Sequence, residues 1–248
     1  MISLDYLSTY VVNLPRRRDR RDWITTRLPT ALSVQFTSDL DVVIDGREIA
    51  QHTSEELGIR LFDWQIDSDN PWWNRPLKHG EIGCSLAHLA CWQHATQHTD
   101  SPYTLILEDD AVLTPDFSGG LLTALNGIRD HELTFDLLYL GREPLNPDTP
   151  TPLPGIVRPG YSHCTYGYVL TRKGIQAALS ANLPSAIVPI DEFLPALYTP
   201  HPRPDLRAQF PPRITALALD PPLATQRPKT EAGSDTEDSA FARGGNSS

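Results

Sequence analysis

An apolar run that ends in three consecutive carboxylates constrains this chain most. In the segment TLILEDDAVL, residues 104–113, strand-forming side chains lead directly into Glu108, Asp109 and Asp110. A short apolar run of this kind is typical of a buried strand, and carboxylates are stable there only where the strand leaves the core. In open α/β sheets, ligands bind beyond the carboxyl ends of the strands. The segment therefore predicts a central strand with a polar site at its end.

Strand-like and helix-like segments alternate along the chain, which is the pattern of an α/β protein. The strand-like segments are 9–14, two pieces within 34–49 that are separated by a turn at Asp45-Gly46, 103–108, 135–141 and 165–171. The helix-like segments are 16–28, 80–98, 116–130, 172–180 and 189–198, with Pro195 as a break or a restart. The expected loops are 63–76 and the proline-rich 144–160. Together they predict an α/β fold with an open mixed sheet flanked by helices.

Residues 1–225 are expected to form one domain, and residues 226–248 a polar C-terminal tail. Lys, Glu, Ser and Gly dominate the tail, and Phe241 is its one large apolar side chain. Such a composition does not form a core, because it offers too little apolar surface to offset the entropy of the chain. The tail is therefore expected to be flexible when no ligand is bound.

The charge and the apolar content argue against several classes of protein. The 248 residues carry a formal net charge of −10, whereas a nucleic-acid-binding surface needs clustered basic residues. No apolar run approaches the roughly 20 residues that cross a bilayer, and the first residues lack the pattern of a signal peptide. The three cysteines show neither disulfide nor zinc spacing. We therefore expect no nucleic-acid partner, no transmembrane segment and a cytoplasmic location.

The three carboxylates at the strand end favour a metal site. The side-chain alternation of a strand places Glu108 and Asp110 on one side and Asp109 on the other. Two like charges so close together repel each other unless a cation lies between them. Oxygen ligands suit Mg²⁺ or Mn²⁺, and these ions in turn suit a substrate diphosphate. The alternative is that the carboxylates are solvated residues at a strand end.

The segment 80–98 predicts a helix with a single polar stripe. At about 100° per residue, this stripe is formed by Glu81, Ser85, His88 and Trp92. Much of the remaining helix surface is apolar, which is typical of a buried helix. Buried polar groups need partners, because an unpaired one costs ~1–3 kcal/mol. The stripe therefore either lines a nucleotide or sugar pocket or forms an internal hydrogen-bond network.

Three further groups of residues carry open alternatives. The spacing of His79, Cys84 and His88 permits a zinc site. In the segment VPIDEFLP, Asp191 and Glu192 either complement the dipole of a first helical turn, or one of them acts as a general base or an acceptor ligand. Five arginines follow the first strand, and they either bind an anion or form a solvated helix face: Arg16, Arg17, Arg18, Arg20 and Arg21.

Together these segments resemble glycosyltransferase family 25, the lipooligosaccharide and collagen galactosyltransferase group. VVNLPRRRDRR is similar to its opening segment, LILEDDAVL to its acidic metal motif, and KHGEIGCSLAH to its Gly-Glu-Ile-Gly-Cys segment, although Ala87 stands where a serine is usual. The segments FDLLYLGREPLNP, GYSHCTYGYVLTRKG, VPIDEFLPALY and GSDTE are similar to the C-terminal transferase domain of procollagen galactosyltransferases. The resemblance covers most of residues 9–238, with the motifs in the expected order.

The resemblance implies a GT-A-like fold, which is a Rossmann-like architecture that binds a nucleotide sugar. It also implies a UDP-galactose donor, Mn²⁺ (or Mg²⁺) as cofactor, and inversion at the anomeric carbon. On this resemblance Asp110, supported by Glu108, binds the metal, and Asp235 reaches back over the diphosphate or the metal. Asp191 is the expected base, with Glu192 as the reserve. Donor contacts are expected from Asn13, Arg20, Lys78, Glu81, Ser85, His88 and Asp109.

Two rival functions stay open at this point. The donor could be UDP-glucose or another UDP-hexose, because nothing in the sequence identifies the residues that sense the C4 hydroxyl. The chain could instead be a catalytically inactive domain that binds a glycan or a partner protein, although it keeps both acidic segments. The acceptor is equally open, since a glycan, a hydroxylated protein and a small molecule all carry a suitable hydroxyl.

Overall fold

The computed structural model describes residues 1–242 and confirms the predicted α/β class. The strands are β1 (Leu7–Val12), β2 (Val34–Phe36), β3 (Tyr103–Glu108), β4 (Ala111–Leu113), β5 (Leu137–Pro144), β6 (Thr149–Pro150), β7 (Ile156–Arg158), β8 (Ser162–Thr171), β9 (Ala216–Leu219) and β10 (Ala224–Gln226). The helices are α1 (Arg18–Thr25), α2 (Gly46–Ile49), α3 (His79–His98), α4 (Phe117–Asp130), α5 (Arg172–Ser180), α6 (Ile190–Tyr198), α7 (Pro204–Gln209) and α8 (Lys229–Ala232). Across residues 1–242, no helix has the length and apolarity that a membrane span requires.

Eight strands form one open mixed sheet in the order β2-β1-β3-β8-β5-β9-β7-β6. β1 runs parallel to β2 and β3, whereas β8 is antiparallel to β3 and β5. The register pairs Val12 with Glu108 at the carboxyl ends of β1 and β3. The sheet therefore brings the residues that follow these strands, Asn13 and Asp109, side by side. β4 and β10 form a separate antiparallel ribbon.

Helices cover both faces of the sheet, and the alternation along β3 shows both layers. Ile106 packs into one core with α3, α5 and α6, whereas Leu105 and Leu107 pack into the other core with α1 and α4. All three side chains are fully buried. Each such burial contributes roughly 1.5–3 kcal/mol to the free energy of folding. The predicted open mixed sheet flanked by helices is therefore confirmed.

α3 runs beneath the carboxyl ends of β1 and β3 and is buried around most of its circumference. The predicted stripe of Glu81, Ser85, His88 and Trp92 is buried along its whole length. At the start of the helix, the backbone N–H of Lys78 donates to the Glu81 carboxylate (2.7 Å). This bond satisfies one of the backbone donors that a helix start leaves open. The helix start is thereby fixed at the edge of the sheet.

Three segments differ from the sequence-based expectation. Within 34–49 only β2 is a strand, because Asp45 accepts a hydrogen bond from the backbone N–H of Arg47 (2.9 Å) and caps α2. The proline-rich 144–160 contains β6 and β7, which lie at the edge of the sheet, where the missing N–H of proline is tolerated. α6 continues through Pro195, because apolar side chains on both sides of the proline are fully buried.

The C-terminal segment, residues 226–242, runs back across the start of α3. It contains α8, and Phe241 forms an isolated bridge with Lys78. Ala242 donates its backbone N–H to the carbonyl of Leu77 (2.7 Å) and is buried in the core beside α3. The predicted division of the chain at residue 226 and the flexibility of the tail stay predictions, and residues 243–248 lie outside the described residues.

Candidate active site

A cleft with two halves opens at the carboxyl ends of β1 and β3. The first cavity is lined by Asn13, Arg20, Glu108, Asp109, Asp110 and Asp235 among others. The second cavity is lined by Trp72, Glu81, Glu108, His163, Asp191 and Glu192 among others. Glu108 and Cys84 belong to both, as do Gln226 and Lys229 of the C-terminal segment. The two cavities are therefore neighbouring halves of one cleft that share a wall.

All three carboxylates of the acidic segment line the first cavity. The expectation that Asp109 faces away from Glu108 and Asp110 is wrong, because β3 ends at Glu108 and the chain turns before β4. The alternation of side chains along β3 therefore ends at Glu108. It does not extend to residues 109 and 110, so it does not place Asp109 on the opposite side from Glu108 and Asp110. The backbone N–H of Asp109 donates to the carbonyl of Val12 (3.1 Å), which fixes this turn against β1.

Asp109 is the best-satisfied of the three carboxylates. Its oxygens accept hydrogen bonds from Asn13 Nδ2 (2.8 Å) and Arg20 Nη1 (3.0 Å). Burial nevertheless raises the pKa of Asp109 to about 6, against the favourable effects of Arg20 and Asn13. The Arg20 guanidinium also lies 3.4 Å from Asp110 Oδ2. Three predicted donor-site residues, Asn13, Arg20 and Asp109, thus meet in one buried cluster.

Glu108 and Asp110 are less well satisfied. Burial and the charge of Asp110 raise the pKa of Glu108 to about 8, although the hydroxyl of Thr165 donates to Glu108. Burial also raises the pKa of Asp110, whose Oδ2 lies 3.3 Å from Gln226 Nε2. Asp110 Oδ1 is buried without a partner in the described part of the chain. The pair therefore combines two buried carboxyl groups of raised pKa with one buried oxygen that has no partner in the described part of the chain.

These oxygens fit a hard divalent cation in their chemistry. A cation between Glu108 and Asp110 would relieve the repulsion that raises the Glu108 pKa, and carboxylate oxygens are the preferred ligands of Mg²⁺ and Mn²⁺. Within residues 1–242, no three His, Cys, Asp or Glu side chains are already arranged as a complete metal-binding set. The predicted zinc alternative is therefore not formed. A divalent site at Glu108 and Asp110 would take its remaining ligands from water or substrate.

The arginines after β1 hold the C-terminal segment. Asp235 pairs with Arg16 (2.6 Å) and with Arg17, and Arg20 donates to the carbonyls of Ala232 (3.1 Å) and Gly233 (2.6 Å). The charges of Arg16 and Arg17 keep the pKa of Asp235 below its ordinary value, although burial opposes this. Asp235 therefore lines the first cavity, and its oxygens are engaged by arginines there. Its role as a metal ligand stays a prediction.

Lys78 and Glu81 lie at the start of α3, next to the C-terminal segment. The ammonium group of Lys78 donates to the carbonyl of Glu237. Glu81 accepts from the Lys78 backbone and from Arg75 Nη1 (3.0 Å), and it lines the second cavity. The ring of Phe241 lies 5.3 Å from the Lys78 ammonium. Both predicted donor-site residues therefore help to hold the rim of the cleft.

Ser85 and His88 lie deeper and line neither cavity in the described structure. Ser85 Oγ donates to the carbonyl of Val188 (2.7 Å), and His88 Nδ1 lies 2.8 Å from the Tyr168 hydroxyl. Trp92 Nε1 also donates to Tyr168 (3.1 Å). Burial lowers the pKa of His88 to about 3, so the imidazole is neutral. Both side chains belong to an internal hydrogen-bond network and could influence a ligand only through the elements they hold.

Asp191 and Glu192 are adjacent in the first turn of α6, yet their surroundings differ. Glu192 is 3% exposed and accepts from Trp73 Nε1 (2.8 Å), His201 Nε2 (2.8 Å) and the hydroxyl of Tyr161. Although burial opposes ionisation, the contacts with His163 and His201 keep the pKa of Glu192 well below its ordinary value. Burial and the charge of Glu192 raise the pKa of Asp191 to about 6.

The surroundings of Asp191 and Glu192 show which of the two carboxylates has a structural role and which is available to a ligand. Within residues 1–242, the only hydrogen bond that influences the Asp191 carboxylate comes from its own backbone, and the side chain faces the second cavity. Glu192 instead uses its oxygens to hold α6 against the segment that carries Trp73. Asp191 is therefore the carboxylate that is available to a ligand.

Several side chains of the cleft were not singled out from the sequence: Thr165, His163, Trp72, Gln226 and Lys229. Thr165 and His163 lie in the segment GYSHCTYGY, but no local pattern indicates that β8 brings Thr165 opposite Glu108. Gln226 and Lys229 lie at the start of the polar C-terminal segment. Its composition alone suggests a loose tail and gives no signal that these side chains enter the cleft.

Comparison with known proteins agrees with this architecture. Residues 6–146 match the family model described as glycosyltransferase family 25 (LPS biosynthesis protein). The chain is 32% identical over 225 residues to procollagen galactosyltransferase 1-A of Xenopus laevis, and 31% identical over 219 residues to procollagen galactosyltransferase 2 of Homo sapiens. It is also 32% identical over 240 residues to inactive glycosyltransferase 25 family member 3 of Homo sapiens.

These matches cover most of this chain but a minor part of each relative. They span 89%, 86% and 93% of the chain, and 36%, 34% and 39% of the respective relatives. Two of the three relatives are named as galactosyltransferases and one as inactive, so the matches support a common fold and ancestry more strongly than a particular activity. The family model alone covers more than half of the chain. The chain belongs to glycosyltransferase family 25.

Proposed function

We propose that this chain transfers galactose from UDP-galactose to an acceptor hydroxyl, with inversion at the anomeric carbon and with Mn²⁺ (or Mg²⁺) as cofactor. The observation that carries the proposal is that the two cavities of one cleft hold different sets of carboxylates. An under-satisfied acidic cluster lines the first cavity, and an available carboxylate lines the second cavity. Glu108 lies in the wall that both cavities share, which is where a glycosyl group would pass from donor to acceptor.

The first cavity is the proposed donor half. Asp110 and Glu108 would hold the ion, with Asp235 as a further candidate, and the ion would supply positive charge that stabilises the departing diphosphate. Asn13 and Arg20 hold Asp109 in place on the side of β1. Arg20 also contributes the one guanidinium that contacts the acidic cluster within the described residues. These contacts keep the cluster fixed before a ligand arrives, which reduces the reorganisation that binding requires.

The second cavity is the proposed acceptor half. A pKa of about 6 leaves Asp191 mainly ionised at neutral pH, and this ionised form can accept the proton of an acceptor hydroxyl. A base is most effective when its pKa lies near the working pH, because it is then both deprotonated and strongly basic. Inversion needs one displacement step with the acceptor on the side opposite the leaving group. A carboxylate across the shared wall from the donor half meets that requirement.

The C-terminal segment must move for a donor to bind. The two cavities measure about 90 Å³ and 220 Å³, whereas pockets for small molecules usually measure roughly 300–1,000 Å³. Residues 233–236 line the first cavity, and their contacts with the protein are mostly polar and near the surface. We therefore expect this part of the C-terminal segment to shift outward as the donor enters and to close over it afterwards.

Two alternatives remain distinct from this proposal. Transfer of glucose from UDP-glucose would use the same cleft with a different sugar contact. A catalytically inactive domain that binds a glycan or a partner protein is favoured by the similarity to a relative named as inactive. The acidic cluster and Asp191 argue for catalysis, because a binding domain has no need of a carboxylate with a raised pKa in each half of its cleft.

The experiment that tests the proposal is a screen of UDP-sugars for UDP release with and without Mn²⁺. We expect UDP-galactose to be hydrolysed fastest and the rate to depend on the metal. A faster reaction with UDP-glucose would change the donor, and no metal-dependent reaction with any UDP-sugar would contradict the proposal. In parallel, Mn²⁺ together with UDP should raise the melting temperature, because a ligand that binds only the folded state stabilises it. An inactive domain without a nucleotide site would show no such rise.

A further inference from the structure

The buried carboxylate of Glu192 organises a chain of hydrogen bonds that ends in the second cavity. Because Glu192 is ionised, each of its contacts must come from a donor. Tyr161 therefore uses its single hydroxyl proton to bond to Glu192 Oε2. The Tyr161 oxygen lies 2.9 Å from His163 Nε2, and this oxygen can now act only as an acceptor there. His163 must consequently carry its proton on Nε2.

The tautomer of His201, the second histidine in this chain of hydrogen bonds, is fixed in the same way. The backbone N–H of Arg203 donates to His201 Nδ1 (3.0 Å), so Nδ1 cannot carry a proton. His201 therefore carries its proton on Nε2 and donates it to Glu192 (2.8 Å). His201 is fully buried in this arrangement. His201 thus supplies a further hydrogen-bond donor to Glu192. Of the two histidines, His163 is the one that lines the second cavity.

His163 is left with one unused ring nitrogen. Its Nε2–H points to Tyr161, and Glu192 Oε1 lies 3.5 Å from the same nitrogen. Nδ1 has no protein partner in the described structure, and it is not among the atoms that are buried without one. The side chain is 20% exposed and lines the second cavity together with Asp191. Nδ1 is therefore an accessible hydrogen-bond acceptor in the proposed acceptor half.

We propose that His163 is a further acceptor-binding residue, which accepts a hydrogen bond from the acceptor at Nδ1 while Tyr161 and Glu192 fix its tautomer. The proposal rests on the proposed function, because it assigns the acceptor to the second cavity. Asp191 and His163 then hold the same ligand from α6 and from β8. Two acceptor atoms in one cavity suit a ligand that presents more than one hydroxyl, such as a polyol or a sugar.

The same arrangement makes the contact sensitive to pH. Burial lowers the pKa of His163, but the hydrogen bond and charge of Glu192 and the charge of Asp191 outweigh it and raise the pKa above its ordinary value. The titratable groups around His163 are Tyr161, Asp191 and Glu192, together with Glu143, its cross-strand neighbour on β5. Protonation at Nδ1 converts the acceptor atom into a donor. Binding of a hydroxyl at this atom should therefore weaken as the pH falls through the pKa of His163.

A matched pair of substitutions separates ligand binding from a purely structural role. His163→Asn keeps an oxygen near the position of Nδ1 and loses the Nε2–H that reaches Tyr161. His163→Gln keeps a donor near the position of Nε2 and loses the acceptor atom at Nδ1. The probe is glycerol as acceptor with UDP-galactose as donor, and the readout is the ratio of galactosyl-glycerol to free galactose. We expect His163→Gln to lower this ratio at least about fivefold and His163→Asn to retain most of it.

The opposite ranking, with His163→Gln retaining the ratio and His163→Asn losing it, would overturn the proposal. The KM for UDP-galactose should stay within about twofold of the wild-type value in both variants, since His163 lies outside the donor half. His98→Asn, a change at an exposed histidine at the end of α3, serves as the control and should leave the ratio unchanged.

A second measurement does not depend on activity. Long-range ¹⁵N NMR of histidine-labelled protein reports which ring nitrogen carries the proton, and the His163 signals are assigned by their loss in His163→Gln. At a pH above the pKa of His163 we expect the Nε2–H form, and a shift towards the other tautomer in Tyr161→Phe. An Nδ1–H form in the wild-type protein would overturn the proposal. If no UDP-sugar is turned over, the proposed function fails, whereas this measurement still decides the state of His163.

Discussion

The two acidic pairs of the cleft, Glu108 with Asp110 and Asp191 with Glu192, differ in how the protein satisfies their oxygens. Glu192 accepts from an indole, an imidazole and a phenol, and its contacts with His163 and His201 keep its pKa low. Asp191 lacks such donors within residues 1–242, and its pKa is raised. Asp110 likewise has a buried oxygen without a partner there.

Whether protein donors satisfy the oxygens of a buried carboxylate distinguishes a structural carboxylate from a functional one. An unpaired buried acceptor costs about 1–3 kcal/mol, so a fold that leaves one unpaired loses stability unless a ligand completes it. Glu192 is completed by the protein, which makes it structural. Asp110 keeps a buried oxygen without a partner in the described part of the chain, whereas Asp191 is partly exposed and lacks side-chain donors there, so a ligand can complete either carboxylate.

Replacement of Asp191 should have the largest effect on rate. Asp191→Asn removes the proposed base while keeping the size of the side chain, and loss of a general base typically lowers kcat about 10²–10⁴-fold. The affinity for UDP should be nearly unchanged, because Asp191 lines the second cavity. Steady-state kinetics with UDP-galactose and equilibrium binding of UDP measure the two quantities. A collapse of UDP binding would make Asp191 a donor ligand instead of the base.

Replacement of Asp110 should remove the metal dependence. Asp110→Asn takes away one charge and one of the two oxygens that the ion would use, and loss of such an electrostatic contact lowers kcat roughly 10²–10³-fold. The measurement is UDP release as a function of Mn²⁺ concentration. Asp130→Asn, at an exposed position at the end of α4, is the control and should keep the wild-type rate. Retained stimulation by Mn²⁺ in the Asp110 variant would remove this residue from the site.

Asp235 tests the closure of the C-terminal segment over the donor half. Asp235→Asn weakens the contacts with Arg16 and Arg17. We expect turnover to fall about tenfold, equivalent to ~1.4 kcal/mol in the activation barrier, with Mn²⁺ stimulation retained. Asp238→Asn, at an exposed position of the same segment, should have no effect. If Asp235→Asn loses its Mn²⁺ stimulation as completely as Asp110→Asn does, Asp235 binds the metal in addition to pairing with Arg16 and Arg17.

Local periodicity accounts for the features of this site that can be predicted from the sequence. The buried strand before Glu108 and the buried stripe on α3 are both local patterns, because side-chain direction repeats every two residues in a strand and about every 3.6 residues in a helix. Both predictions are confirmed. The orientation of Asp109 was predicted wrongly, because strand alternation was extended to residues 109 and 110, which lie in a turn after the end of β3.

The partners of these residues could not be predicted, because they are distant in the sequence. The donor to Glu108 is Thr165, 57 residues away, and Arg20 binds Gly233, 213 residues away. Asp191 and Glu192 are neighbours in the sequence with the same charge, and only the donors around Glu192 distinguish them. Those donors come from three separate segments, which the fold alone brings together.

Replacement of Glu192 should lower stability. Glu192→Gln introduces an amide N–H₂ among the donors that surround the carboxylate, so at least one polar contact is lost in a buried site. We expect a loss of about 1–3 kcal/mol in the free energy of unfolding, equivalent to roughly 2–12 °C in melting temperature. Thermal unfolding monitored by circular dichroism measures this. Glu231→Gln, at an exposed position in α8, should change little. A Glu192 variant of wild-type stability would contradict the structural role of this carboxylate.

Replacement of Asp191 should have the opposite effect on stability, and this effect should depend on pH. The folded-state pKa of about 6 exceeds the ordinary value of about 3.9, so the folded protein holds this proton more tightly than the unfolded chain does. Ionisation of Asp191 therefore costs stability as the pH rises through the window from about 4 to 6, and above that window the cost is complete. At pH 8 it is about 3 kcal/mol. Below pH 4 both states are protonated and the cost disappears.

Asp191→Asn removes this cost, since the amide does not ionise. At pH 8 the variant should melt roughly 6–12 °C above the wild-type protein, and the difference should shrink as the pH is lowered from 6 to 4. Melting temperatures across this range, measured without metal or nucleotide, test the prediction. An Asp191 variant that is no more stable than the wild-type protein at pH 8 would mean that the wild-type carboxylate is already well satisfied in solution. The contrast between Asp191 and Glu192 would then fail, and with it the reason for assigning the base to Asp191.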